Sequence, residues 1–297
     1  MGKMKFNFGE GAKSAFWMLE VGARALPPHT DVLYRYFGED VAIRLTQTAL
    51  SYPENAKVPQ YVLNAFGIGT AGVAELEKVA EKYPRPDLTM IDQRIFQALP
   101  LELKNYYGPC WGEAWEFFYA LNPISEVSQT TQVARLPAGS EETIAALAEI
   151  EKVLRKSIKE SHALNQMEHF DWFVHRLPNG TISAAMGVEA DAHPDPQEYQ
   201  QLIGMDLRQA LREESRNLDK SRVRSVHFAG LGADPQYRGK GFGTAVMVAA
   251  INWHLENGYD FIRFGMWDWN HRARSLYQRL GISANGKVIL GRAQKWR

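Results

Sequence analysis

The stretch from Leu231 to Gly243 reads LGADPQYRGKGFG, and its residue types suit a phosphorylated ligand. An apolar run from Val223 to Gly230 precedes it, and a helical pattern from Thr244 to Glu256 follows. The order is therefore strand, glycine-rich turn, helix. Glycines let the backbone approach a ligand closely, and the first N–H groups of the helix aim unpaired donors and a positive dipole end at it. A pyrophosphate fits such a place. The main-chain N–H groups of Gly239, Lys240, Gly241, Phe242, Gly243 and Thr244 are the candidate cradle, and Arg238 adds a cation for charge-assisted hydrogen bonds.

Two spacings sharpen this reading. Arg238, Gly241 and Gly243 fit R-x-x-G-x-G, with Leu231, Ala233 and Pro235 ahead of them as L-x-A-x-P. Downstream, the run NHRARSLYQRLG carries Asn270, Ala273, Leu276, Tyr277, Leu280 and Gly281. In these two runs the chain resembles the GNAT superfamily of acyl-CoA-dependent N-acyltransferases, over roughly residues 131–290. The resemblance implies an α/β fold with a mixed central sheet flanked by helices. It implies acetyl-CoA, or another acyl-CoA, as co-substrate, no metal, and direct transfer of the acyl group to a primary amine of a small molecule or peptide. On the same resemblance the backbone of Leu231, Gly232 and Ala233 pairs with pantetheine as an added strand and supplies an oxyanion donor. Gly230 and Gly232 suit a bulge that opens the strand for it.

Tyr277 matches the tyrosine that protonates the departing thiolate in many relatives, a phenol of pKa about 10 facing a thiol of about 8.5. Asn270 is placed to cap the last helix or to bond pantetheine. The general base is open. His227 stands where histone-acetylating relatives carry a catalytic glutamate, and an imidazole titrating near about 6.5 can serve directly or through a water. On strand alternation His227, Ala229 and Leu231 share a face, provided no bulge intervenes. Asp268, Glu189 and a solvent-linked path without a single base are the other readings.

The elements that position these groups are partly legible. Phe170–Arg176 and Thr181–Val188 flank Asn179-Gly180, which predicts a β-hairpin. Ile144, Leu147, Ile150, Val153 and Ile158 recur at helical spacing, so 141–159 reads as an amphipathic helix, with a second short one over 160–167. Such a pair floors the acceptor cleft in the resembled family, where His162 and His169 are possible acceptor contacts. Residues 191–222 read as a long insertion, helical through 198–216: a lid, a dimer contact or a solvated surface helix. Only 16 residues follow Gly281, where the family ends with two strands. The last strand is thus absent, or supplied by the N-terminal half or by a partner chain.

The N-terminal half, residues 1–125, is expected to be a mostly helical or truncated α/β domain ahead of an acyltransferase domain at 126–297. Helical patterns run over 39–50, 70–82 and 91–97, and residues 113–121 bring a cluster of aromatics. Gly67-Ile-Gly69-Thr-Ala-Gly72 follows an apolar run and precedes a helix, with Asp92 farther on. That outline resembles the opening of a class I methyltransferase, with too few residues left for the rest of such a sheet. A helical domain with a glycine-rich helix start is the plainer alternative.

Composition bounds the rest. The 297 residues exceed one typical domain, and Lys plus Arg equal Asp plus Glu at 34 each, so no net field favours nucleic acid or an anionic membrane. The single cysteine, Cys110, excludes an internal disulfide and a cysteine metal cluster. No apolar run approaches the roughly 20 residues of a membrane span, and the first residues lack a secretory h-region. A cytoplasmic enzyme, monomer or homodimer, is expected. Two other classes stay open: transfer of a longer acyl group from acyl-CoA or acyl carrier protein, and a non-catalytic acyl-CoA sensor.

Overall fold

The computed structural model describes residues 30–37, 41–48, 61–67, 69–108, 110–158, 162–165, 167–193 and 223–292. Residues 1–29, the helix expected over 198–216 and residues 293–297 lie outside them. The described chain builds one eleven-stranded sheet. Its first half contains β1 (Thr30–Phe37), β2 (Val41–Thr48), β3 (Tyr61–Gly67), α1 (Gly69–Lys82), β4 (Leu88–Asp92), α2 (Gln93–Ala98), α3 (Leu101–Tyr107) and β5 (Cys110–Ala120). The second half contains β6 (Val133–Leu136), α4 (Glu141–Ser157), β7 (Asp171–Arg176), β8 (Ile182–His193), β9 (Val223–Ala233), α5 (Phe242–Glu256), β10 (Phe261–Trp267), α6 (His271–Arg279) and β11 (Ala284–Arg292).

Five strands between residues 30 and 120 correct the expectation of a mostly helical N-terminal region. Val41–Thr48 forms β2 rather than a helix. Val41, Ile43 and Leu45 alternate into the core, where period two fits the pairing with β1 and β3 on either side. The helices expected over 70–82 and 91–97 are present as α1 and α2, the second starting later, at Gln93.

The sheet order is β1-β2-β3-β4-β11-β5-β10-β9-β8-β7-β6. Read inward from its two edges, the two halves repeat one plan. Three antiparallel strands (β1–β3, β7–β9) lead into a helix (α1, α5), a parallel fourth strand (β4, β10), a further helical segment and a last strand. The last strands cross over. β5, from the first half, lies beside β10 of the second, and β11, from the second, lies beside β4 of the first. β5 and β11 pair antiparallel with each other in the middle. The strand that the second half lacks is therefore supplied by the N-terminal half.

Alternation along the ladders puts α5 and α6 on one face, over Phe118, Val188, Phe228, Ile262 and Phe264. α4 covers the opposite face, over Trp172, Val174 and Ala185. Ser140 caps α4, accepting from the Thr143 N–H, and the predicted hairpin is present with Gly180 in the left-handed region at φ 85°. The second short helix appears as two 3-10 turns, His162–Asn165 and Met167–His169.

The glycines at 67, 69 and 72 have local explanations. Gly67 and Gly69 take positive φ, and a Cβ on Gly72 would meet the Ile95 side chain at 2.7 Å, so α1 and α2 pack through it. Asp92 is buried, accepts from the N–H groups of Gly67 (3.4 Å) and Arg94 (2.9 Å), and pairs with the Arg94 guanidinium at 2.7 Å. It thereby ties the ends of β3 and β4 together.

Candidate active site

β9 and β10 pair at only three positions, Ser225–Phe261, Val226–Ile262 and His227–Arg263. β9 then bulges. Phe228 pairs with Val188 and Gly230 with Gly187, which leaves Ala229 as the extra residue. Beyond this point β9 follows β8 to Ala233 while β10 follows β5 to Trp267, and a wedge opens between two strands whose ladder has stopped. The bulge expected at Gly230 and Gly232 sits just ahead of them, at Ala229.

The bulge overturns the simple alternation. Leu231 pairs with Met186 and His227 with Glu189, so His227 shares a face with Gly230 and Gly232 rather than with Leu231. His227 is half-buried on the α4 side, between exposed Glu189 on β8 and buried Arg263 on β10. Leu231 and Phe228 face the α5 and α6 side. A Cβ on Gly232 would lie 2.4 Å from Ser157 Oγ and 2.9 Å from Leu154 Cδ2. Only glycine lets α4 approach the strand here.

The turn after β9 is held at its base. Asp234 accepts from the Gln236 N–H at 3.0 Å, starting a 3-10 turn over Pro235–Tyr237, and from Lys156 Nζ of α4 at 2.6 Å. The Lys156 ammonium holds the Asp234 carboxyl below its ordinary range. Because the folded carboxyl is more acidic than the unfolded one, the pair stabilises above pH about 4 and ceases to as acid protonates it. Lys156→Met is expected to lower stability at pH 7 by a few tenths to about 1 kcal/mol, since the lysine is partly solvated. Urea denaturation should show that difference vanishing below pH about 3. An equal deficit at both pH values would mean that packing, not charge, is lost.

Gly239 and Gly241 both take left-handed φ, 81° and 83°, with open space where a Cβ would stand. Gly241 is the N-cap of α5 and no side chain caps that helix, so its first N–H groups point outward from an exposed turn. Arg238 and Lys240 are exposed beside it, Lys240 Nζ lying 5.4 Å from the centre of the Tyr237 ring. Phe242 anchors the helix, stacked at 4.0 Å on buried His175, which is fixed by Ser183 Oγ (2.7 Å) and Gln132 Oε1 (3.1 Å). Gly243 and Thr244 continue the first turn, half-buried. Two cations and an uncapped helix start fit a pyrophosphate.

Tyr277 lies on the α5 and α6 side, 8% exposed, its ring edge-on to Phe118 at 4.9 Å and to Phe264 at 4.7 Å. Burial pushes its phenol up to about 12. Asn270 caps α6, its Oδ1 accepting from the Ala273 N–H at 3.1 Å, which is one of the two roles expected of it. His227 and Tyr277 thus lie on opposite faces of the sheet. Asp268 accepts from Lys287 Nζ at 2.9 Å, and His169 is exposed beside Glu168. Among the described residues no cluster of His, Cys, Asp and Glu could hold a metal ion, and no helix is long and apolar enough to cross a membrane. Sequence reasoning missed the contribution of β5. Phe118 and Glu116 were visible only as members of an aromatic run.

Residues 211–282 match the model of the acetyltransferase (GNAT) family. Over 58 residues it is 33% identical to the thialysine N-ε-acetyltransferase of Bos taurus and 36% identical to that of Mus musculus. Each alignment covers 20% of this chain and 34% of the relative, so the chain spans about a third of the length of the curated relatives it matches. A GCN5-related N-acetyltransferase from Kribbella flavida shares the fold over 97% of this chain and 98% of its own, with a TM-score of 0.54 and 14% identity.

Proposed function

We propose that this chain transfers an acetyl group from acetyl-CoA to a primary amine, directly and without a covalent enzyme intermediate. The carrying observation is the wedge: two parallel strands that part after His227–Arg263, with a glycine turn and an uncapped helix at its mouth. In this reading residues 126–297 are the acyltransferase unit and residues 1–125 complete its sheet, in a cytoplasmic monomer or homodimer. Backbone N–H groups from Gly239 to Thr244, with Arg238, hold the pyrophosphate, and the free edge of Leu231–Ala233 pairs with pantetheine. An N–H beyond the bulge stabilises the oxyanion that forms when the amine nitrogen attacks the thioester carbonyl.

His227, on the α4 face, takes the proton that the substrate ammonium must lose before its nitrogen attacks, directly or through a water. Tyr277 meets the sulfur from the other face. A phenol held near 12 is a weaker acid than the thiol, about 8.5, so Tyr277 works as a hydrogen-bond donor that steadies the thiolate and remains a phenol. The name of the matched relatives makes the side-chain amine of lysine and of its thioether analogue the first acceptors to try.

The test is release of free thiol from acetyl-CoA against lysine, its thioether analogue, polyamines, arylalkylamines and peptides. Tyr277→Phe should lower kcat about tenfold or more with one acceptor class. The loss should be the same from pH 6 to 9, since the phenol is protonated throughout. No acetyl-CoA binding at all would sink the proposal. Tight binding without turnover would turn attention to a longer acyl donor or a sensor.

A further inference from the structure

Tyr277 sits on α6 of the second half, yet much of what holds α6 comes from the first. On β5, Glu116 and Phe118 alternate onto the same face. On α6, Arg274 and Tyr277 are three residues apart and share a helix face. The two periods meet as two rungs. Phe118 packs edge-on against the Tyr277 ring at 4.9 Å, and Glu116 Oε2 accepts from Arg274 Nε at 3.0 Å.

Arg274 is spent on fixing this end of the helix. Its second amino group, at 3.0 Å from the same Glu116 oxygen, also donates to the Asp268 carbonyl at 2.5 Å, in the loop between β10 and α6. Its other amino group meets His271 Nδ1 at 2.9 Å. The Asp268 carboxylate in turn accepts from Lys287 of β11. Both crossed-over strands therefore grip the entry to α6, one through Glu116 and one through Lys287. The Glu116 and Arg274 side chains are 13% and 26% exposed, so this pair is shielded well beyond an ordinary surface ion pair.

We infer that Glu116 is a positioning residue for Tyr277, acting through Arg274, and that the N-terminal half thereby takes part in catalysis. This rests on the acyl-transfer reading given above. Removing the Glu116 charge leaves Arg274 with His271 and the Asp268 carbonyl and frees α6 to turn or lift from β5. The phenol then moves relative to the wedge, whereas the glycine turn, on α5, stays in place. A misplacement of this kind at a reacting centre is costly to rate, and the cofactor is held elsewhere.

The experiment is a double-mutant cycle of Glu116→Gln and Tyr277→Phe, read as kcat and KM for acetyl-CoA. Glu116→Gln is expected to lower kcat about tenfold and to leave KM within about twofold. In the Tyr277→Phe background it should lower kcat no further, because the group it positions is gone. Equal losses in both backgrounds, or a change confined to KM, would overturn the inference. Arg274→Lys keeps the charge and loses the fork, and serves as the second variant should Glu116→Gln fail to fold. A readout without turnover separates this inference from the function it rests on. 3-Fluorotyrosine placed at 277 gives one fluorine resonance, which should move or broaden in Glu116→Gln and not in Lys78→Gln, a remote ion-pair variant. An unchanged resonance would overturn the positioning role even if the chain proves to transfer no acyl group.

Discussion

A chain that begins at residue 126 should fail to give a soluble, cooperatively folded monomer, although it contains the whole stretch that carries the acyltransferase motifs. It lacks β5, which pairs with β10 from Trp267 to Ile262 and with β11 along nearly its full length. Without it both strands have a bare edge, the kind of surface that recruits other chains. The α5 and α6 core also loses Phe118, which is 1% exposed and stacks on Phe264 at 5.4 Å with the rings 4° from parallel. Burial of one such ring is worth on the order of 2 to 3 kcal/mol, a large part of the margin by which a domain is stable. Gel filtration and a urea transition of 126–297 beside the full chain are the check. A monomer with a sharp transition and normal acetyl-CoA affinity would show that the acyltransferase unit does not depend on the strand lent to it.

Gly241→Val should weaken acetyl-CoA binding at least about tenfold, with little effect on turnover at saturation. At φ 83° a β-branched residue is strained by on the order of 1 to 3 kcal/mol, and relief would swing the helix N-terminus away from the turn. The new side chain would also project where nothing stands within 4 Å, the space that the pyrophosphate needs in the proposed complex. Titration calorimetry with acetyl-CoA, and with a short acetyl thioester lacking the nucleotide, distinguishes the two losses. If both bind as in the parent chain, the turn is not the phosphate cradle.

The second half was largely legible because its information is local. The turn at 231–243, the Asn270 cap, the hairpin about Asn179-Gly180 and the α4 periodicity are each written within about a dozen residues, and each took the expected form. For His227 the bulge changed which residues share its face. A single extra residue at Ala229 reverses which side chains share a face, and nothing in VRSVHFAG marks which residue that is. The first half failed differently. Val41-Ala-Ile-Arg-Leu carries apolar residues at 41, 42, 43 and 45, a run that satisfies a helical period as well as a strand between two neighbours. The pairing of β5 with β10 joins Trp115 to Trp267, and no local pattern announces a partner so far along the chain. The question of the final strand could be posed from the sequence and answered only by the ladders.

The crossing of β5 and β11 has a temporal side. A chain made from its N-terminus completes β4 and β5 early, but the strand that lies between them is the last element of the sheet to leave the ribosome. Until Ala284–Arg292 emerges, the first half cannot close, however long it has been available to fold. Synthesis thus holds an unfinished sheet open until that strand emerges, and its insertion point is filled in one step that joins both halves. Arrest or premature termination near residue 280 would release a chain with a slot at its centre, a form that chaperones should retain and proteases should cut.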